Sequence, residues 1–143
     1  MDSSAPGIVM TMTDRISRAL ALIDAANAAD PAGQAQLYGE RMSAVLERLA
    51  PDAPETLKIA ARAQHIERWT IPRSEYPEGR IPYLTWRKEL QKLHARRAGE
   101  IMASCGYSDD EIARTGSLLR KERLKQDADA QMLEDVICLV FLA

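Results

Sequence analysis

The chain has 143 residues, 46% of them hydrophobic and 28% charged, with a formal net charge of −2. That length suffices to bury one core without staples, and no apolar run approaches the roughly 20 residues that span a bilayer, which argues against an integral membrane protein. The charge is uneven: residues 62–97 carry nine basic side chains against four acidic ones, +5 locally and −7 elsewhere, which points to a site for anions on an acidic protein rather than to indiscriminate coating of nucleic acid.

In chain order, residues 1–12 read as a disordered tail and 13–143 as a single helical domain. The tail has no basic n-region and too short an apolar stretch for a secretion signal, so the cytoplasm is the expected location. Helix-period spacing predicts helices at about 13–29, 33–49, 54–69, 84–105, 109–123 and 128–142, with no strand pattern, and the class is all-α. Asp30-Pro31, Pro51, Pro54 and Gly106 mark ends, and Ser108 with Glu111 forms a capping box. Cys105 and Cys138 lie in apolar helical settings without CxxC spacing, which predicts buried thiols rather than a disulfide or zinc site.

Between the third and fourth helices runs "RWTIPRSEYPEGRIPYLTWR", from Arg68 to Arg87. Its prolines Pro72, Pro77 and Pro82 pre-set the backbone, and Ile81, Tyr76 and Tyr83 are apolar bodies that pack, so 70–83 is expected to be a long but ordered loop. Arg73, Arg80 and Arg87 recur every seven residues, with Arg68 before them. One reading is a phosphate clamp with Tyr76, Tyr83 and Trp86 as stacking surfaces; the other is that these arginines pair with Glu75, Glu78 and Glu89 and cover the rings.

The two histidines are read from helical wheels. His94 falls among Leu90, Ala98, Ile101 and Cys105 on an inward stripe, and His65 at the edge of a buried face. Asp135 has Met132, Leu139 and Leu142 as helical neighbours, so it is expected on an apolar face, in need of a cation, a metal or several donors; Glu134 beside it is read as solvated or capping. Each of the three has a structural reading, as a hydrogen-bonded or ion-paired core group. Taken together, His65, His94 and Asp135 would make a cluster suited to a divalent transition metal or an anion. The last helix is apolar on nearly every face, so it is either central or uncovered, and an uncovered one suits a homo-oligomer contact. No Gly-rich phosphate loop, GxSxG or HExxH is present.

The elements HxxRW, IPRxxYPxGR, YLxWR, LHA and LEDVxCLVFL, from about Asp14 to Leu142, resemble an uncharacterised bacterial and fungal family of unknown function, some members of which carry a glutamyl-tRNA synthetase label. Nothing here is similar to the HIGH or KMSKS signatures of such synthetases. Members of that family are usually longer, so the resemblance implies a chain shortened before "LYGERM" and at its C-terminus. More distantly, the order His, His, then "DADAQMLEDV" resembles the HD-domain metal-dependent phosphohydrolases, which implies an HD-like fold. It also implies catalytic or metal-ligating roles for His65, His94 and Asp135, although Ile66 and Ala95 stand where the dyad aspartate belongs. The expected functions are hydrolysis of a phosphorylated metabolite or nucleotide with Arg68, Arg73, Arg80 and Arg87 holding phosphate, non-catalytic binding of a nucleotide or RNA end, or a structural polar cluster.

Overall fold

The computed structural model describes residues 4–122 and 125–142, with side chains from residue 15 onward. It is an all-α assembly with no strand among the described residues. The helices are α1 Ser4–Asn27, α2 Ala35–Leu49, α3 Glu55–Arg62, α4 Arg80–Ser104, α5 Asp109–Leu119 and α6 Ala128–Leu142, with 3-10 turns at Arg68–Thr70 and Arg73–Glu75. The backbone of α1 therefore covers most of the stretch expected as a tail, and residues 1–3 lie outside the described residues. The remaining boundaries shift by a few residues, with two larger differences around the basic segment.

α3 stops at Arg62, and residues 63–67 form turns, so His65 sits on a turn rather than on a helix. Glu67 takes a left-handed backbone (φ 54°), which ends any helical continuation. α4 begins at Arg80, four residues ahead of expectation. Pro82 falls inside its first turn, where the missing N–H would have had no helical partner anyway, so the proline tolerates the helix it was expected to precede. Gly79 before it has φ 118°, a conformation that favours glycine. The capping box forms: Ser108 Oγ accepts from the Glu111 N–H, and Glu111 Oε1 accepts from the Ser108 N–H.

The core is assembled from one stripe per helix. Ile23, Met42, Leu57, Ile59, Ile66, Met102, Leu118, Leu119, Leu133 and Val136 are all under 2% exposed. Burial of such side chains stabilises the fold by about 1.5–3 kcal/mol each. α4 packs most extensively on α5, and α2 lies against both α3 and α6. Where α3 ends, Arg62 grips two neighbours: Nε and Nη2 donate to the two carboxylate oxygens of Asp24 on α1 at 2.8 and 2.6 Å, and Nη1 donates to Ser43 Oγ on α2.

α6 is not central. Only Ala130, Leu133 and Val136 are buried on it, while Phe141 and Leu142 are 88% and 79% exposed. Cys138 is exposed too, against the expectation of a buried thiol; Cys105 is buried as expected. The inward stripe of α6 leaves Asp135 on the opposite, exposed face, because its neighbours Leu139 and Leu142 are themselves outward.

A close approach fixes α2 over the end of α3. A Cβ added to Gly39 would stand 2.9 Å from the Arg62 backbone oxygen, closer than non-bonded atoms allow. Gly39→Ala is expected to destabilise the protein by about 1–3 kcal/mol, the usual range for overpacking, despite alanine's better helix propensity. Urea unfolding checks this, and an unchanged or raised midpoint contradicts it.

Candidate functional site

The site is built around the turn after α3. Asn27 is 1% exposed at the end of α1 and its Oδ1 accepts the Glu67 N–H at 3.0 Å. Arg97 on α4 donates from Nε to Glu67 Oε1 at 2.9 Å. These two contacts hold Glu67 in its left-handed conformation, and the residues around it carry functional groups: the His65 ring, the Ile66 carbonyl and the Arg68 guanidinium.

His94 is 4% exposed on α4, on the inward stripe that its spacing predicts. Its Nδ1 lies 2.9 Å from the Ile66 oxygen. A carbonyl only accepts, so Nδ1 carries the hydrogen and Nε2 is the lone-pair nitrogen of the neutral ring. The two histidine rings are neighbours, with centroids 6.4 Å apart. His65 is stacked on Tyr38 of α2, centroids 3.8 Å apart and 11° from parallel.

Burial pushes His65 down to about 3, helped by the nearby Arg68 and then by His94. Burial likewise pushes His94 down to about 4, with Arg68 adding to it and the Ile66 bond opposing it. Both rings are therefore neutral near pH 7.

A cavity of about 290 Å³ opens beside them. Its lining includes Tyr38, Gln64, His65, Arg68, Tyr83, Arg87, Gln91, His94 and Lys121, and Ile137 and Phe141 of α6 close one side. Among the described residues three cations line it, and no Asp or Glu does. Arg68 stands over the Trp86 ring at 5.1 Å, and its guanidinium is pushed down by burial and then by Arg87. Arg87 Nη1 donates to the Tyr83 hydroxyl at 2.9 Å. Among the described residues neither Arg68 nor Arg87 has a carboxylate partner.

Lys121 adopts a left-handed backbone (φ 62°) just after α5. Its Nζ reaches Gln64 Oε1 at 3.2 Å and Glu134 Oε2 at 3.0 Å. Burial lowers its affinity for a proton and Glu134 restores part of it. Glu134 Oε2 is itself inaccessible to solvent and lacks a well-directed hydrogen bond, so this contact is an ion pair first.

The remaining expectations divide. His65, His94, Arg68, Arg87 and Tyr83 meet at this cavity. Asp135 does not: it is exposed on the outer face of α6, and no group of three or more His, Cys, Asp or Glu residues arranged to hold a metal exists among the described residues. Two imidazoles without a third ligand do not make a closed site for a divalent metal.

Arg73 is committed to the loop, its Nη1 donating to the carbonyls of Tyr76 and Pro77 at 3.0 and 2.9 Å. Arg80 is exposed and Tyr76 half-buried, and neither lines this cavity. Trp86 is 7% exposed and its Nε1 donates to the Ile71 carbonyl at 2.7 Å, which makes it a wall rather than a free stacking surface. The alternative reading divides: Arg73 and Arg87 stand over the Tyr83 ring at 5.9 and 5.8 Å, but none of Arg73, Arg80 and Arg87 forms an ion pair with Glu75, Glu78 or Glu89 among the described residues, and Glu89 pairs with Lys92.

Nothing in the sequence pattern points to Tyr38, Gln64 or Lys121, and Glu134, expected to be solvated or capping, is instead the ion-pair partner of Lys121. A lysine inside the charge run "RKERLK" carries no sign of burial; the signal in hindsight is the pair Lys121 and Glu134, thirteen positions apart across a helix end.

The neutral histidines set an acid limit on stability. The folded protein keeps both rings unprotonated while the unfolded chain takes up protons below about pH 6.5. Stability is thus complete above that pH and is lost as pH falls toward about 4 for His94 and about 3 for His65. The slope per histidine is at most about 1.4 kcal/mol per pH unit. Urea midpoints at pH 7.5 and 5 measure it, and His94→Gln, whose amide donates to the Ile66 carbonyl without titrating, is expected to flatten the dependence.

A family model described as "Domain of unknown function (DUF4202)" matches residues 17–143. No curated protein and no solved structure matches the chain.

Proposed function

We propose, from the premise that the chain belongs to the DUF4202 family, that its cationic cavity binds a small phosphate-bearing metabolite, with arginine and lysine side chains supplying the positive charge. The observation that supports this is the lining of the cavity: among the described residues Arg68, Arg87 and Lys121 line it and no carboxylate does. Gathering like charges in a partly dry pocket costs free energy, and a bound anion removes that cost. Guanidinium groups also match a phosphate by paired, charge-assisted hydrogen bonds. The neutral histidines complete the pocket without adding fixed charge. Gln64 and Gln91 offer amides to ester or hydroxyl oxygens.

This is the non-catalytic form of the expected functions. The metal-dependent phosphohydrolase reading has less to support it, because Asp135 is turned away and the dyad aspartate positions hold Ile66 and Ala95. A metal-free hydrolytic reading draws on one observation, the Ile66 carbonyl that sets the His94 tautomer and leaves Nε2 unprotonated. An anion arriving beside that ring would raise its proton affinity toward the range of a working base. Cytoplasmic location is proposed alongside, and no described helix is long and apolar enough to cross a membrane.

The test is a panel of inorganic phosphate, sugar phosphates and nucleotides, read by thermal shift and calorimetry, since a ligand specific to the native state raises the melting temperature. At least one phosphate ester is expected to bind, with affinity falling as salt rises. Arg87→Gln and Lys121→Gln are each expected to weaken it at least about tenfold, since hydrogen bonds to charged groups contribute about 1.5–3 kcal/mol. No stabilisation by any member, or binding indifferent to both substitutions, overturns the proposal. Steady release of inorganic phosphate from a bound ester, abolished by His94→Gln, would move the assignment to the hydrolytic reading.

A further inference from the structure

The cationic cavity has a neighbour of a different character. A second cavity, of about 400 Å³, lies on the other side of Tyr38, His65 and Arg68, and these three residues line both. Its remaining walls are largely apolar or aromatic: Leu37 from α2, Trp69, Ile71 and Pro72 from the segment after the Glu67 turn, and Trp86 from α4. The volume falls within the range of small-molecule sites.

The polar groups at this second cavity are mostly committed. Both Asp30 carboxylate oxygens accept backbone N–H groups, from Ala32, Gln34 and Ala35. Arg73 is bound to loop carbonyls and Trp86 Nε1 to Ile71. Arg41 is exposed at the edge. An apolar, aromatic chamber thus adjoins a cationic chamber in which Arg68 and Arg87 have no carboxylate partner among the described residues, and the two share Tyr38, His65 and Arg68.

We infer that the ligand is a phosphate ester of a planar heteroaromatic ring, of which a nucleoside monophosphate is the type, with its phosphate among Arg68, Arg87 and Lys121 and its ring against Trp69 and Tyr38. The inference rests on the phosphate-binding reading above and specifies its substrate class. A sugar phosphate fills only the cationic chamber and leaves the aromatic one to water. A neutral aromatic compound does the reverse and leaves the positive charges unanswered. A molecule with both ends uses the site whole, and aromatic stacking of a base contributes about 1–3 kcal/mol in comparable sites.

The shared residues support the bridging arrangement. Tyr38 and His65, stacked on one another, and Arg68 line both cavities, which puts Arg68 where the ester linkage would pass. This is a different use of aromatic residues from the one the loop sequence implies: Trp69 and Tyr38, rather than Tyr76 and Trp86, offer the ring faces.

Calorimetry with AMP, ribose 5-phosphate and adenosine tests this on the whole chain. AMP is expected to bind at least about tenfold more tightly than either of the others, one base stack being about 1.4 kcal/mol or more. Trp69→Ala is expected to erase the difference between AMP and ribose 5-phosphate. Leu37→Ala, at a residue 40% exposed on α2 and therefore safe for folding, is expected to reduce it. Arg87→Gln is expected to weaken both ligands. Equal affinities for AMP and ribose 5-phosphate, or a difference that survives Trp69→Ala and Leu37→Ala, overturn the ring assignment and leave phosphate binding standing. Failure of AMP and ribose 5-phosphate alike overturns both.

Discussion

The two-point hold on Glu67 is the contact on which the site depends. A glutamate has no intrinsic reason to adopt a left-handed backbone, which costs on the order of 1 kcal/mol for a residue with a Cβ. It does so here because Asn27 at the end of α1 takes its N–H and Arg97 on α4 takes its carboxylate. The reversal closes the turns that follow α3, with the Ile66 carbonyl against His94 before it and Arg68 over the Trp86 ring after it. A straight continuation of α3 to Trp69, as the apolar spacing alone implies, would have spread those groups around a helix.

Electrostatics then set the character of what the turn assembles. Most of the basic excess of residues 62–97 is spent on structure: Arg62 on Asp24, Arg96 on Glu100, Arg97 on Glu67 and Glu100, Lys92 on Glu89, and Arg73 on loop carbonyls. The local charge is thus a poor measure of binding capacity. Of the four that remain, what counts is the pair that lines the cavity, Arg68 and Arg87, whose guanidinium groups have no acidic partner among the described residues and are joined there by Lys121. Lys121 has Glu134, and that pairing lets a lysine persist with little solvent contact. A pocket lined in this way departs from the pairing seen elsewhere in the protein, and such departures concentrate at functional sites.

Much of the architecture was legible in the sequence, for identifiable reasons. Helix periodicity and punctuation locate α2 and α6 to within two residues at each end, while α5 stops at Leu119 rather than 123, and the spacing places His94 inward because Leu90, Ala98 and Ile101 surround it. Ser108 and Glu111 announce their own helix start. The failures share a cause: wheel arguments assume that an apolar neighbour is a buried neighbour. Leu139 and Leu142 break that assumption, and Asp135 goes with them to the surface. The same logic made Glu134 look solvated, when its Oε2 is the inaccessible acceptor opposite Lys121. Arg73, Arg80 and Arg87 keep a seven-residue interval through a segment that is a 3-10 turn, a bend and then a helix, so equal spacing sends them to three different environments. Tyr38 and Lys121 became visible only when distant segments were brought together.

The chain contains two tryptophans, and Trp69 and Trp86 line the same cavity. Trp86 is also within cation–π range of Arg68, at the boundary between the two chambers. All indole light emission from this protein therefore originates at one place, with no background from elsewhere in the fold. A molecule entering there changes the polarity around the only strong natural fluorophores that the protein has, so occupancy is written directly into its ultraviolet spectrum without any added label.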